Sequence, residues 1–177
     1  MAVILPDTFE VRGRGFQREE AMEISAPRAS DYRRVVEIFS ELGDSYSCDP
    51  ELSATRAIYM NYVRGLGKRG YVARVDGVVA GVILFELSPL LSSGYLQIRH
   101  DGLAVDPSFR GRGIGVTLLR KVLALSRVVG ATNVLIKASA PRVIALYRSL
   151  PEIEERGIYF YYTPPGEEGS DVDSAAQ

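Results

Sequence analysis

Cysteine, histidine and tryptophan are scarce in this sequence, and their scarcity excludes several kinds of chemistry. The 177 residues include one cysteine, one histidine and no tryptophan. A zinc site needs several Cys or His ligands, so we expect no metal site. A thiol nucleophile activated by an imidazole could draw only on Cys48 and His100, and a lone cysteine is more often a buried apolar group or an inert thiol. One cysteine permits no internal disulfide, which is typical of a reducing compartment.

Long apolar runs and an excess of charge of one sign are also missing. No apolar stretch approaches the roughly 20 residues that a membrane-spanning helix needs. The first residues contain no basic region and no cleavage site, so we expect no signal peptide. The 21 basic and 22 acidic residues give a net charge of −1, which provides no general attraction to nucleic acid or to an acidic membrane. The sequence therefore predicts a cytoplasmic globular protein that binds neither.

Patterns typical of helices and strands alternate through the middle of the chain. Asp76-Gly77 is a strong hairpin signal between two strand patterns, and Ser30 is predicted to cap the first helix. The predicted order is β-α-α-β-β-β-α-β-α-β, an α/β domain with a mixed sheet. The predicted strands are 22–26, 71–75, 78–87, 95–105, 133–138 and 157–162, and the predicted helices are 30–42, 53–66, 114–129 and 141–150.

The two ends of the chain differ from this middle part. Residues 1–20 form a predicted N-terminal extension with short strand patterns at 3–5 and 9–11. The extension also contains Arg12-Gly13-Arg14-Gly15, which resembles RNA-binding Arg–Gly repeats; these act as long arrays, and one copy is more often a solvated loop. It leaves a nucleic-acid-binding protein as one hypothesis. Residues 21–163 form the predicted domain, and residues 164–177 a flexible acidic tail.

A glycine-rich segment, Arg110-Gly111-Arg112-Gly113-Ile114-Gly115, leads from a predicted strand into a predicted helix. Amides at the start of a helix lack intrahelical partners and carry the positive end of the helix dipole. Glycines allow the backbone to approach an anion closely, and the two arginines add positive charge. The segment therefore predicts a loop that binds a pyrophosphate. A glycine-rich turn without a ligand is the alternative.

The spacing of the glycines excludes two familiar nucleotide motifs. Gly111, Gly113 and Gly115 are spaced G-x-G-x-G, whereas the third glycine of the dinucleotide fingerprint would stand at position 116, which is a valine. No acidic residue follows about twenty positions later, as that fingerprint requires. The P-loop pattern also fails, because no Lys followed by Ser or Thr comes after the glycines.

The same segment resembles the R/Q-x-x-G-x-G/A signature of the GNAT acetyltransferase superfamily, and Leu103, Val105 and Pro107 extend the match. The predicted order of elements is similar to the GNAT fold from about residue 22 to residue 162. The resemblance implies a mixed, mostly antiparallel sheet with a splayed central strand pair and helices on both faces. It implies acetyl-CoA as the acyl donor, with Arg110 and the amides of residues 111–115 at its pyrophosphate. Leu103 and Val105 would pair with its pantetheine, and an amide near Leu103 would polarise the thioester.

The resemblance also implies a general acid. The family carries a tyrosine in a Leu-Tyr pair on the helix after the splayed strand, which Leu146-Tyr147 matches. A phenol with a pKa of about 10 is protonated at neutral pH and could protonate the departing thiolate of CoA. This sequence departs from the family pattern at three places around this pair, at the thiol end of the expected pocket. They are Ala140, Val143 and Pro151-Glu152.

A general base is needed because a protonated amine cannot attack the thioester. Asp101, acting through water, is the first candidate, since Asp101 and Arg99 fall at positions where some family members carry Glu or His. His100, the only imidazole in the sequence, is the second candidate. Alternation along a strand puts Arg99, Asp101 and Leu103 on one face and His100 on the other, unless a bulge intervenes. Alternatively, Asp101 only ties a loop or pairs with Arg99.

These residues predict an N-acetyltransferase in which a primary amine attacks acetyl-CoA directly in a ternary complex. The acceptor could be a small molecule or an amine of a peptide or protein, and the chain a monomer or homodimer. A non-catalytic acyl-CoA-binding or regulatory module on the same fold is the main alternative. By resemblance, the acceptor lies between the first two helices and the final strand. Candidate side chains for that cleft are Tyr32, Tyr46, Tyr59, Tyr62, Tyr159, Tyr161 and Tyr162, with Asp44 and Glu86 for a cationic acceptor.

Overall fold

The computed structural model describes residues 9–10, 21–42, 53–65, 67–90, 95–138 and 141–154. The chain divides into two compact units, Met1–Lys137 and Ala138–Gln177. Most of the predicted N-terminal extension, the predicted strand at 157–162 and the acidic tail lie outside the described residues, so the predicted domain boundaries stay predictions. None of the helices in the described part of the chain is long and apolar enough to cross a membrane.

Within the described residues, a six-stranded sheet forms the framework of the first unit, and its strands lie in the order in which they occur along the chain. All neighbouring strands are antiparallel except the last two, which are parallel. The predicted mixed, mostly antiparallel sheet is therefore confirmed. The strands are β1 (Phe9–Glu10), β2 (Met22–Ser25), β3 (Lys68–Val75), β4 (Val78–Leu90), β5 (Tyr95–Val105) and β6 (Ala131–Leu135).

The β3–β4 hairpin turns at Asp76-Gly77, as predicted. Both residues have positive φ, 50° and 79°, which is the backbone of a type I′ turn and fits the twist of the two strands. The hairpin extends further than its apolar pattern predicts. β3 begins at Lys68, which pairs with Glu86, whereas the predicted strand begins at residue 71. Pairing between backbones extends a strand through polar residues, which alternation of apolar residues does not reveal. For the same reason β6 begins two residues earlier than predicted, where Ala131 pairs with Leu96.

The described residues form four α-helices, and the start of the first one corrects a prediction. Ser30 does not cap this helix, because Ala29–Asp31 form a 3-10 turn and the N-cap is Asp31. The carboxylate of Asp31 accepts a hydrogen bond from the Arg28 amide at 2.7 Å and pairs with Arg74 at 2.5 Å. These contacts hold the chain in the turn before the helix begins. The helices are α1 (Tyr32–Ser40), α2 (Ser53–Arg64), α3 (Ile114–Val128) and, in the second unit, α4 (Pro141–Arg148).

Helices pack on both faces of the sheet, as the fold class predicts. A methyl group at Gly102 would come within 2.7 Å of the Phe39 ring on α1, whereas one at Gly81 would come within 2.9 Å of Ile114 on α3. Gly102 pairs with Leu84, three positions after Gly81, so the two glycines face opposite sides of the sheet. We call these sides the α1 face and the α3 face. The apolar core of the α1 face consists of Tyr32, Val35, Val36, Ile38, Phe39, Tyr59, Val72, Val79, Val82 and Ala104.

A β-bulge interrupts β5 at Asp101. Leu84 of β4 pairs with Gly102 and the next residue, Phe85, pairs with His100, so Asp101 is left without a partner in β4. The pairing of β5 with β6 ends at Arg99, although β5 continues to Val105. This departure of β6 from β5 is the predicted splay of the central strand pair.

The bulge also corrects the predicted distribution of side chains on β5. Arg99 and Asp101 share the α1 face, as expected, but Leu103 lies on the α3 face, within 3.9 Å of the position of a methyl group at Gly115. The extra residue shifts the alternation by one position between Asp101 and Leu103.

Candidate functional site

The glycine-rich segment forms a tight curl between β5 and α3. A 3-10 turn, Pro107–Phe109, leads from the strand into the loop. Gly111 and Gly113 have φ values of 79° and 77°, a left-handed backbone that glycine adopts without steric cost. Gly113 is the N-cap of α3, and Ile114 anchors the start of the helix with a side chain that is 1% exposed. The sequence-predicted loop residues therefore lie together at the start of the helix.

The amides of this loop are not engaged by the backbone of the described residues. The first hydrogen bond of α3 runs from the Thr117 amide to the Gly113 carbonyl, at 3.0 Å. Within the described part of the chain, no backbone carbonyl accepts from the amides of Gly111, Gly113, Ile114 or Gly115. Such amides, at the positive end of a helix dipole, form a site for an anion.

The two loop arginines are exposed and are anchored by their own neighbours. Arg110 donates from Nε to the Val105 carbonyl at 3.1 Å. Arg112 lies over the Phe109 ring at 5.1 Å, and its Nη2 is 3.5 Å from the Ser108 carbonyl. Both guanidinium groups therefore add positive charge around the curled backbone.

The end of β5 presents backbone groups on the side from which β6 has departed. The Asp106 amide donates to the Ala80 carbonyl at 3.0 Å, which makes these two residues a hydrogen-bonded pair. Hydrogen-bonded and non-hydrogen-bonded pairs alternate along antiparallel strands. The amide and carbonyl groups of Leu103 and Val105 therefore point away from β4. No described strand pairs with them there, since the β5–β6 ladder ends at Arg99.

Asp101 belongs to a group of side chains from α2, β3, β4 and β5 on the α1 face, which we call the polar cluster. Its Oδ2 accepts hydrogen bonds from the Tyr62 hydroxyl at 2.8 Å and from Lys68 Nζ at 3.2 Å. Lys68 is also 3.5 Å from Glu86, and Arg99 pairs with Glu86. The predicted pair of Arg99 with Asp101 is only a 3.9 Å contact, to Oδ1. Among the described residues, nothing donates a hydrogen bond to that oxygen.

Burial and the hydrogen bond to Asp101 raise the pKa of Tyr62 above its ordinary value. The phenol therefore keeps its proton and remains a donor to the carboxylate near neutral pH. With two cations, Lys68 and Arg99, and two carboxylates, Glu86 and Asp101, the polar cluster balances its own charge.

His100 lies on the other face of β5 from Asp101, opposite Phe85. Its side chain is buried, and its Nε2 has no hydrogen-bond partner among the described residues. Burial lowers the pKa of His100 to about 4, and the charge of Asp101 offsets only part of that effect. The imidazole is therefore neutral at pH 7 and is enclosed by the core rather than by the polar cluster.

The remaining predicted residues are distributed between the two units and the undescribed segments. Tyr147 lies on α4, in the second unit, and its side chain is buried. Tyr32 and Tyr59 belong to the core of the α1 face, so they pack rather than line a cleft. The other predicted acceptor residues outside the described part of the chain are Asp44, Tyr46, Tyr159, Tyr161 and Tyr162.

Two groups near the site were not singled out from the sequence. Lys68 contacts Asp101 across 33 positions in the chain, and Arg34 pairs with Asp106. Pairing of Lys68 with Glu86 across a longer hairpin could have suggested the first contact, but no local pattern indicates the second. Within the described residues, no group of three or more His, Cys, Asp or Glu side chains could hold a metal ion.

Comparison with known proteins gives a family and a fold. The model of the acetyltransferase (GNAT) family matches residues 35–150. No curated protein matches the sequence.

Three solved structures illustrate the fold. An acetyltransferase of Trypanosoma brucei is 22% identical, with a TM-score of 0.62 over 80% of this chain and 99% of that one. The ribosomal-protein-alanine N-acetyltransferase of Brucella melitensis is 18% identical, with a TM-score of 0.63 over 81% and 99%. The aminoglycoside N-acetyltransferase AAC(6')-Iy in complex with CoA is 19% identical, with a TM-score of 0.68 over 84% and 99%. At these identities the likeness establishes the fold alone.

Proposed function

We propose that this chain, which belongs to the acetyltransferase (GNAT) family, transfers an acetyl group from acetyl-CoA to a primary amine by direct attack in a ternary complex. One observation carries the proposal: the unengaged amides at the start of α3 lie directly after a β5 edge that β6 has left. A curled, positively polarised loop suits a diphosphate, and an open strand edge suits an amide-containing arm. CoA carries both groups.

The donor would lie along the loop and the strand edge. The amides of Gly111, Gly113, Ile114 and Gly115 would bind the pyrophosphate, and Arg110 and Arg112 would neutralise it. The outward groups of Leu103 and Val105 would bond to the pantetheine. An amide near Leu103 would then polarise the thioester carbonyl as charge develops on its oxygen. The CoA in the structure of AAC(6')-Iy supports an acyl-CoA donor in this family.

Asp101 is the general base in this proposal. Its Oδ2 is held by Tyr62 and Lys68, which fixes the carboxylate, while Oδ1 accepts no hydrogen bond from the described residues. That oxygen can take a proton from the amine, directly or through a water. His100 is the weaker candidate, since its Nε2 is enclosed on the opposite face.

Tyr147 is the general acid in this proposal, on the strength of the Leu146-Tyr147 motif. A phenol that stays protonated near pH 7 can donate to the thiolate of CoA as it leaves. A Tyr147→Phe variant should therefore bind acetyl-CoA normally but release thiol more slowly.

Two neighbours support an amine as the acceptor, because their names describe acetylation of aminoglycosides and of a ribosomal-protein alanine. Both acceptors carry amino groups, one on a small molecule and one on a protein. The single cysteine is consistent with the cytoplasm as the compartment that we propose.

The experiment that tests the function has two steps. Calorimetry should first detect binding of acetyl-CoA to the full chain. A thiol-release assay should then screen polyamines, aminoglycosides and short peptides with free N-termini as acceptors. Absence of binding at millimolar acetyl-CoA would remove the proposal. Binding without thiol release for any amine would instead support the non-catalytic acyl-CoA-binding module.

A further inference from the structure

Arg34, on α1, forms an ion pair with Asp106, the residue that connects β5 to the loop. Asp106 is buried, with 5% of its surface exposed. Its carboxylate accepts hydrogen bonds from the Ser108 amide, at 2.8 Å, and from the Ser108 hydroxyl. The Arg34 side chain is 39% exposed and also pairs with Glu37 at 2.9 Å. Among the described residues, Arg34 is the basic side chain that pairs with Asp106.

A carboxylate at this position creates an electrostatic problem for an anion-binding loop. Asp106 stands five positions before Gly111 in the sequence. The 3-10 turn covers three of these positions at roughly 2 Å per residue, and the chain is extended at Arg110, at roughly 3.3 Å per residue. The two residues are therefore at most about 13 Å apart along the chain, which is comparable to a Debye length of roughly 10 Å. A buried charge is screened less than an exposed one. A bare Asp106 carboxylate would therefore oppose a bound diphosphate.

The same carboxylate has a structural role that explains its presence. It is the N-cap of the Pro107–Phe109 turn, and the turn sets the direction in which the chain enters the loop. A neutral side chain with a carbonyl oxygen could make the same cap, so the charge itself is not required for the turn.

We propose that Arg34 is a positioning residue for the diphosphate of the acyl donor, which it serves by cancelling the charge of Asp106. The inference rests on the proposed function, since it assumes that the loop binds an acyl-CoA. It assigns a role in donor binding to α1, a helix that contributes no residue to the loop.

The test is calorimetric titration of full-length variants with acetyl-CoA. Arg34→Gln should weaken binding by about 5- to 30-fold, because an uncompensated charge near a diphosphate costs on the order of 1–2 kcal/mol at an effective dielectric constant of 20. Arg34→Lys should lose less than about threefold, since it keeps the charge but not the planar guanidinium. The matched control is Arg33→Gln, which removes the same charge from the exposed neighbour on α1 and should change affinity by less than about twofold.

A double variant separates charge from structure. Adding Asp106→Asn to Arg34→Gln removes the uncompensated charge while keeping a carbonyl oxygen for the Ser108 amide. The double variant should therefore recover to within about threefold of the wild-type affinity. The double variant leaves no buried unpaired charge, because Glu37, the other partner of Arg34, is exposed. It therefore tests the inference even if Arg34→Gln alone does not fold.

Three results would overturn the inference. The first is an affinity for acetyl-CoA in Arg34→Gln that equals that of the wild type, and the second is a loss of affinity in Arg33→Gln as large as that in Arg34→Gln. The third is a double variant that still binds acetyl-CoA at least about tenfold more weakly than the wild type. A thermal shift of Arg34→Gln without a change in affinity would likewise leave Arg34 with a structural role only. If the wild-type chain itself fails to bind acetyl-CoA, the proposed function fails first, which is a distinct outcome.

Discussion

The loop before α3 and the polar cluster on the α1 face both lie along β5, but they differ in whether their polar groups have partners within the protein. In the loop, the amides of Gly111, Gly113, Ile114 and Gly115 have no backbone acceptor among the described residues. In the polar cluster, by contrast, the side chains pair with one another, and the Lys68 ammonium contacts three of them: Tyr62, Asp101 and Glu86. Hydrogen-bond donors without a partner among the described residues indicate the kind of ligand that they could bind. Charged side chains that pair with one another give no such indication. The loop therefore offers bonding groups for an anionic ligand, whereas the polar cluster is satisfied by its own side chains.

The largest expected effect comes from disrupting the loop. The double change Arg112→Glu and Gly113→Pro reverses a charge and forbids the φ of 77° at the start of α3, because proline requires a φ near −65°. Two or three charge-assisted hydrogen bonds to the diphosphate should be lost, on the order of 4 kcal/mol or about 1,000-fold in affinity for acetyl-CoA. Calorimetry measures this loss, and circular dichroism checks that the sheet and helices persist.

The control for the loop variant is Lys68→Met, in the polar cluster. This change should alter affinity for acetyl-CoA by less than about threefold, since within the described residues the Lys68 ammonium contacts Tyr62, Glu86 and Asp101 of the polar cluster. If both variants lost affinity for acetyl-CoA to a similar extent, the loop before α3 and the polar cluster would not differ in their contribution to binding.

The next effect concerns Asp101 as a base. Asp101→Asn keeps an oxygen for Tyr62 and Lys68 but cannot take a proton from the amine. The rate of thiol release at saturating substrates should fall about 100-fold, a typical contribution of a general base, while affinity for acetyl-CoA stays within about twofold.

The matched variant for Asp101→Asn is Glu86→Gln, which removes a carboxylate from the same polar cluster. If both variants slow the reaction equally, Asp101 has no special role and the polar cluster acts only as structure. Equal rates of thiol release in Asp101→Asn and the wild type would lead to the same conclusion.

The third effect is a dependence of stability on pH that arises from His100. Its pKa falls from 6.5 to about 4 on folding, chiefly through burial. The unfolded chain therefore binds a proton at a higher pH than the folded chain, so protonation favours unfolding as the pH falls from 6.5 towards 4. When the pH is lowered from 7 to 5, the free energy of unfolding should therefore fall by about 2 kcal/mol more in the wild type than in His100→Met. Denaturant unfolding at the two pH values measures the difference.

The His100 result would sharpen the comparison between the two faces of β5. The carboxylates titrate in both proteins, so their contribution cancels in the difference between wild type and variant. A His100→Met variant with the same pH dependence as the wild type would mean that the imidazole is protonated without cost. His100 would then lie in a polar environment, as Asp101 does, rather than in the apolar core.

Local patterns predicted much of this molecule. The hairpin at Asp76-Gly77 follows from two residues that tolerate positive φ, and the loop before α3 follows from glycines placed where a strand ends and a helix begins. Each signal acts over a few neighbouring residues, so the sequence alone carries it. Apolar residues at helical spacing also mark one side of α3, where Leu118, Leu119 and Val122 are buried.

Features that depend on partners far away in the chain could not be predicted. The bulge at Asp101 is a property of the β4–β5 pairing, and it moves Leu103 to the other face without any signal in β5 itself. The contact of Lys68 with Asp101 and that of Arg34 with Asp106 each join elements far apart in the sequence. Asp31 displaced Ser30 as the helix cap because a buried arginine, Arg74, lies opposite. Such contacts are set by topology rather than by local spacing.

The smallest expected effect tests the loop with one substitution at two neighbouring glycines. Gly113 has a φ of 77°, and open space surrounds its missing Cβ. Gly113→Ala should therefore destabilise the fold by about 1 kcal/mol through backbone strain alone. Gly115 lies in the first turn of α3 with an ordinary φ, and a methyl group there would meet Val105 at 3.5 Å, a normal contact. Gly115→Ala should stabilise the fold by about 0.5–1 kcal/mol, because alanine loses less backbone entropy in a helix.

The opposite signs are what make this pair informative, since the residues are two positions apart and the added methyl group is the same. Denaturant unfolding of both variants at pH 7 gives the two free energies. If both substitutions destabilise the fold equally, crowding rather than left-handed backbone governs the loop. The amides would then not be held in the curl, and they would not be preorganised for a diphosphate.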